Sequence, residues 1–171
     1  MTSPEFHTLD DVDYGSVEQV TPSIRRVIAE NPSKFTYRGT GTYIVGHGDV
    51  VVIDPGPRLD SHRDALAAAL AGETVRAILV THCHADHSPL AAWMRDEFDA
   101  PTFGFGPHPR DDEPTDEPSD EIEESTDFDF VPDHAVVDGD LVVTGGGLTM
   151  RAVHTPGHTS NHVCWTLEEE L

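Results

Sequence analysis

The chain carries eleven histidines, and three of them fall with one aspartate inside "THCHADH", residues 81–87. Such crowding behind an apolar run reads either as a solvated turn or as a metal site. The spacing His-x-His-x-Asp-His, from His82 to His87, favours metal. In an extended segment side chains alternate with period two, so His82 and His84 point to the same side. Two imidazoles on one side can share a zinc ion at Zn–N distances of about 2.0–2.1 Å. Asp86 and His87 leave the same turn and can face a second ion. Zinc takes more than two ligands, so the pattern asks for a distant histidine. "VHTPGHTSNHVCW" supplies His158, in a Pro-Gly turn behind a strand-like run. Three histidines leave a fourth position open for water, whose pKa then falls to about 7.

The elements needed to hold these residues are legible on both sides of the cluster. "VRAILVT" is a β-branched run of the buried-strand kind and ends where the histidines begin. Open α/β sheets place function in such loops, at the carboxyl ends of strands. "TGTYIVGHGDVVVIDPG" predicts two strands, about 42–45 and 50–53, joined by a tight Gly-His-Gly-Asp turn. "DSHRDALAAALAG" predicts a helix with Asp60 or Ser61 as N-cap and Gly72 as terminator. "SPLAAWMRDEF" predicts a second helix, with Ser88 as N-cap and Pro89 at its first position. A strand near 101–105 follows, and "HAVVDGDLVVTGGGLTMRAVHT" and "NHVCWTL" predict further strands with glycine turns. Hairpins mixed with a β-α-β crossover imply an α/β sandwich. "TGGGLT" lacks the GxxxxGK[ST] pattern and reads as a turn.

Two segments fall outside this frame. Residues 1–20 read as a polar tail ahead of one domain spanning 21–171. Residues 107–130 are rich in Pro, Asp and Glu and poor in apolar residues. They cannot bury enough surface to offset their ordering entropy, which predicts a mobile surface insertion. The prolines and the absence of EF-hand spacing disfavour a calcium loop there.

Composition narrows the function classes. The net charge is −22, from 32 acidic residues against 10 basic ones, and Lys34 is the single lysine. An Asp-rich, Lys-poor surface suits concentrated salt, where the Debye length shrinks to roughly 3 Å, so a halophilic source is expected. Nucleic acid and anionic membranes both need Lys and Arg patches, and neither is expected as a partner. No stretch approaches the ~20 apolar residues of a membrane span, and no signal peptide pattern opens the chain. A cytoplasmic protein is the default. Cys83 and Cys164 form no CxxC, and no Gly-x-Ser-x-Gly suggests a serine hydrolase.

"THCHADH" followed by "TPGHT" resembles the metallo-β-lactamase superfamily of zinc hydrolases. "VVVIDPG" is similar to that family's second strand and its Asp-Gly turn. The similarity runs from about residue 38 to the C-terminus, excluding the acidic insertion. "ADHSP" and "TPGHTSNH" resemble most the branch of glyoxalase-II-like thioesterases and β-lactamase-like protein 2 hydrolases. The resemblance implies the four-layer αββα fold, with His82, His84 and His158 on one zinc and Asp86 and His87 on a second. It implies that Asp86 is catalytic, accepting a hydrogen bond from a metal-bound hydroxide, and that Asp54 braces the metal loop. The implied activity is hydrolysis of a small ester or thioester; RNA cleavage is disfavoured by the acidic surface.

One departure matters. The family brings a bridging aspartate and a final histidine from strands beyond the Thr-Pro-Gly-His turn. No aspartate follows His158, and His162 comes too soon to be that ligand. The chain is therefore expected to be the N-terminal portion of the fold, incomplete at its C-terminus, holding about one zinc and nearly inactive as a monomer. A non-catalytic zinc-binding fragment is the alternative. Oligomeric state is left open.

The remaining candidates have blander readings. Cys83 is expected to pack away from the ligands, with a ligand role as the lesser alternative. His154 and His162 either line the pocket or are structural. His7, His47, His62, His108 and His134 fall in tails, turns or helix surface. Trp93, Met94 and Phe98 are expected in the core, and Tyr43 could face the cleft.

Overall fold

The computed structural model describes residues 11–108 and 126–168. A seven-stranded sheet runs in strict chain order: β1 (Val17–Thr21), β2 (Ile24–Ile28), β3 (Gly41–His47), β4 (Asp49–Ile53), β5 (Thr74–Leu79), β6 (Thr102–Gly104) and β7 (His134–Ala135). The first four strands pair antiparallel, and the pairs from β4 to β7 are parallel. Parallel pairs need crossovers; α1 (Asp60–Ala69) joins β4 to β5 and α2 (Ala91–Phe98) joins β5 to β6. A second, antiparallel sheet holds β8 (Leu141–Val143), β9 (Thr149–His154) and β10 (Val163–Glu168), with β9 central.

Period-two alternation splits the apolar residues of the large sheet between two cores. Ile44, Val50, Val52, Ile78 and Val80 join Leu66, Leu70 and Met94 under the helices. Their neighbours Val45, Val51, Ala77 and Leu79 face the other way and meet Val142, Met150 and Ala152 of the small sheet. The layers are thus helix, sheet, sheet. Strands buried on both faces read as continuous apolar runs, which is why "VVVI" and "AILV" announced themselves.

Several expectations need correction. β1 begins at Val17, inside the segment expected as a tail, and all five of its residues are exposed. It is held by pairing with β2 and not by burial, so it leaves no apolar signature. The ends of the expected mobile insertion are packed: Thr126 bridges His84, and Phe130 is buried beneath Gly104. Residues 109–125 lie outside the described residues. α1 starts from Leu59 without a side-chain cap. α2 starts from Leu90 without a side-chain cap, and the Ser88 hydroxyl instead donates to Asp127 Oδ2 at 2.7 Å. His62, expected on the helix surface, is 2% exposed and bonds Thr42 Oγ1 at 2.9 Å. Burial pushes its pKa down to about 4. It sits under Gly56, where φ is +94° and an added Cβ would meet the imidazole at 2.7 Å. Only glycine fits that turn.

Candidate metal centre

The Val80–Leu90 loop leaves β5 beside the end of β4, and Asp54 ties the two together. Its backbone N–H donates to Leu79 O, and its φ of +53° is left-handed, a strained setting for a residue with a Cβ. That backbone aims the carboxylate into the loop. Oδ1 accepts from the Thr81 N–H at 2.8 Å, and Oδ2 from the Thr81 hydroxyl at 2.7 Å and His87 Nδ1 at 2.8 Å. The brace expected of Asp54 is thus a three-bond clamp on both ends of the histidine cluster.

Donor counting then sets one tautomer. The Thr81 hydroxyl spends its only hydrogen on Asp54, so it accepts from His82 Nδ1 at 2.9 Å. His82 Nε2 is left as a lone pair, 3.0 Å from His84 Nδ1. The two rings stand on the same side of the segment, as period two requires. Cys83 between them is buried, and burial pushes its thiol pKa up.

His158 comes from the turn behind β9, and Asn161 places it. The Asn161 amide donates to Cys83 Sγ at 2.9 Å and to Gly106 O at 3.3 Å, while Thr159 Oγ1 donates to its Oδ1 at 2.9 Å. The Val163 N–H donates to Thr81 O. These bonds latch the β9–β10 turn onto the backbone of the metal loop. His158 meets His84 and His82 edge-on, with ring centroids 4.6 and 4.9 Å apart. Ligand atoms of His82, His84 and His158 all lie within 4.8 Å of one another, a group that could hold a metal ion. Tetrahedral zinc needs its nitrogens about 3.3 Å apart, so small rotations suffice.

Asp86 and His87 form a second group. His87 Nε2 lies 3.2 Å from Asp86 Oδ2, and its ring is 4.2 Å from that of His82. Thr40 Oγ1 also donates to Asp86 Oδ2, at 2.6 Å, while the buried Oδ1 has no hydrogen-bond partner. Burial opposes charge on His87, but Asp54 and Asp86 overcome it and push its pKa up to about 10. Burial likewise opposes the Asp86 carboxylate, and the bonds from His87 and Thr40 hold it well below the usual range. The first group behaves oppositely. Burial, then the neighbouring histidines, press His82 down to about 2, and burial with His158 presses His84 to about 4. His82 and His84, pressed toward the neutral form, thus sit beside a proton held between carboxylates. Ligand histidines must be neutral, so the first pair has no proton to displace, whereas His87 would have to release one.

A family model described as the Metallo-beta-lactamase superfamily matches residues 37–170. The chain belongs to that superfamily. It is 33% identical over 157 residues to the lactamase-like protein ptaB of Pestalotiopsis fici, covering 90% of this chain and 44% of that protein. It is 34% identical over 161 residues to the atrochrysone carboxyl ACP thioesterase nsrC of Aspergillus novofumigatus, covering 91% and 43%. Among solved structures, BJP-1, a subclass B3 metallo-β-lactamase of Bradyrhizobium japonicum, superposes with a TM-score of 0.63 at 22% identity, over 90% of this chain and 57% of that one. MIM-1 of Novosphingobium pentaromativorans gives 0.64 at 24%, over 88% and 55%. The chain thus spans less than half of these relatives and just over half of the structural neighbours. The layers described above match the N-terminal portion of the metallo-β-lactamase fold.

Sequence reasoning missed Thr40, Thr81 and Asn161. Each is an ordinary polar residue whose part exists only through a partner distant in the chain or through the backbone turn. Tyr43 does face the cleft, beside Asp86 and His158. His162 lies 5.2 Å from His82 between ring centroids but spends Nδ1 on Thr155 Oγ1. His154 stacks on Phe105 at 4.0 Å. Among the described residues, no helix is long and apolar enough to cross a membrane.

Proposed function

We propose a zinc-dependent hydrolase that cleaves a small ester or thioester. The observation that carries this reading is the convergence of His82, His84 and His158 beside the Asp86–His87 pair, on a cleft of about 360 Å³. His82, His84 and His158 would hold the first zinc; Asp86 and His87 would hold a second. When bound, zinc acidifies a water and polarises the scissile carbonyl. The chain's own residues set the stage for that chemistry. Thr81 fixes the His82 tautomer, and Asp54 holds Thr81 and His87 in register. Asp86 is the proposed catalytic residue. With Oδ2 committed to Thr40 and His87, its Oδ1 would accept a hydrogen bond from the attacking water. A relative named as a thioesterase supports the ester or thioester class. The Asp-rich, Lys-poor composition supports a halophilic origin, and the melting temperature is then expected to rise as potassium chloride goes from millimolar to molar.

Zinc binding without turnover is the second reading. It is favoured by the second group's offering only Asp86 and His87 among the described residues. Zinc content after dialysis, with turnover of a nitrophenyl ester, separates the readings. Under the hydrolase reading, wild type is expected to retain zinc and to hydrolyse the ester, and His84→Ala to lose both by about a thousandfold. Equal zinc content in the two proteins would sink the metal assignment; retained zinc without turnover would select the second reading.

A further inference from the structure

Residues 126–133 lead into β7 and pass along the metal loop on the way. Two anchors fix this segment to β6. Phe130 is 8% exposed and packs into the helix-side core against Gly104. The Asp133 carboxylate accepts from the N–H and the hydroxyl of Thr102, at 2.9 and 2.8 Å.

Asp127 ties the same segment to the loop that carries the ligands. Its backbone N–H donates to Cys83 O at 2.7 Å, and its neighbour Thr126 forms an antiparallel bridge with His84. Its Oδ2 accepts from the Ser88 hydroxyl at 2.7 Å, and its Oδ1 from the Asp129 N–H at 3.1 Å. With both oxygens engaged, the carboxylate is fixed in its turn. Cys83 and Ser88 bracket a tight bend in which the N–H groups of His87 and Ser88 both return to His84 O. That bend carries His84, Asp86 and His87. Asp54 grips the cluster at Thr81 and His87, and Asn161 grips it at Cys83 Sγ. The Ser88 end is gripped by Asp127. Ser88 is 1% exposed, so its hydroxyl needs a partner within the protein. Its other acceptor, His84 O, lies 3.5 Å away, too far for a strong bond.

We infer that Asp127 is a positioning residue of the metal centre, seating His84 by holding Cys83 and Ser88 on either side of it. The inference rests on the metal reading proposed above for the ion, and on the contacts alone for the brace. Phe130 and Asp133 already anchor the segment, so a half-buried carboxylate at 127, in a chain of net charge −22, adds a tie to the metal loop and not to β6. Asp127→Ala keeps the backbone bond to Cys83 and releases Ser88. Partners behind the ligands typically change metal affinity about 10–100-fold.

The probe is cobalt chloride alone, titrated into metal-free protein, because the visible bands of bound cobalt report its ligand geometry. Asp127→Ala is expected to weaken cobalt at the three-histidine site by about tenfold and to change the band intensities. Ser88→Ala removes the same bond from its other partner and should do likewise. The double variant should then bind no more weakly than the worse of the two. Asp133→Ala controls for anchoring: it should lower the urea midpoint and leave cobalt affinity and spectrum unchanged. The inference falls if Asp127→Ala keeps wild-type affinity and bands, if the two losses add, or if Asp133→Ala loses cobalt equally. A second readout needs no metal. With nitrogen-15 histidine labelling, Asp127→Ala should shift the His84 ring resonances and leave those of His47, at the end of β3, in place. Unmoved His84 resonances would overturn the inference as well. Absence of cobalt binding in wild type would sink the metal reading by itself, and the ring resonances would still decide whether Asp127 seats His84.

Discussion

Two halves of one short segment have been given opposite charge habits. His82 and His84 are pressed toward the neutral form by burial and then by neighbouring histidines, His87 foremost for His82 and His158 for His84. His87, three residues on, is held protonated between Asp54 and Asp86. Burial opposes charge in both places. The difference is two carboxylates, one local and one delivered by the end of β4. A metal site can therefore be prepared in two ways: by lone pairs with no proton to displace, or by a proton standing where a cation is wanted.

Asp54 belongs to both halves, and its loss should give the largest effect. Asp54→Ala frees Thr81 and His87 together, and zinc affinity at both positions is expected to fall about 10–100-fold. A competition titration with a chromophoric chelator reads this directly. A fall at one position alone would mean that the clamp serves only that half.

Asn161→Ala should separate the halves. It leaves the buried Cys83 sulfur without its donor, removes one of the donors to Gly106 O, and loosens the turn that carries His158. A loss of about 1–3 kcal/mol in unfolding free energy is expected, with weaker binding of the first zinc and little change in the second. Denaturant melts and stoichiometric titration would expose the opposite pattern if the latch were unimportant.

The metal-free protein should show the contrast in its pH dependence. His82 and His84 have folded pKa values below the unfolded one, about 6.5. The unfolded chain then binds more protons, and stability is lost as pH falls from about 6.5 through about 4 for His84 and toward about 2 for His82. His87 has a raised folded pKa, so its contribution is full below about 6.5 and is lost as pH rises toward about 10. Urea melts of wild type and His87→Gln across this range test the sign: the variant should lose the alkaline limb and keep the acid one.

Thr40→Val is the gentlest probe and touches only the second half. It removes one hydrogen bond to the Asp86 carboxylate, worth about 1.5 kcal/mol, so kcat should drop about tenfold with KM unmoved. An equal change in KM would show that Thr40 serves binding and not the placement of Asp86.

Much of this was legible early. Strands β3 to β5 were readable because residues such as Val51, Val52 and Ile78 are buried on both sheet faces and form unbroken apolar runs. β1 was not, because pairing alone holds its exposed residues. Ser88 does not cap α2; its hydroxyl donates to Asp127, 39 residues on, a contact that no local pattern announces. His62 looked like surface because a helix hides from its own sequence which side a lone polar residue faces. Its burial depends on Thr42 and Gly56, distant in the chain.

By itself, the sequence singled out His82, His84 and His158, a group that could hold a metal ion, because ligand chemistry is local to a side chain and period two puts His82 and His84 on one side. It also determined the layered α/β character, since apolar periodicity is a property of neighbours. Only the tertiary structure decided the rest: that Asn161 carries His158 across to His84, that Asp54 reaches Thr81 and His87, and that Thr40 holds Asp86. Those contacts join residues 27 to 78 positions apart. Hydrogen bonds at such range, and the pKa values they set, exist only once both sheets have closed on their shared core.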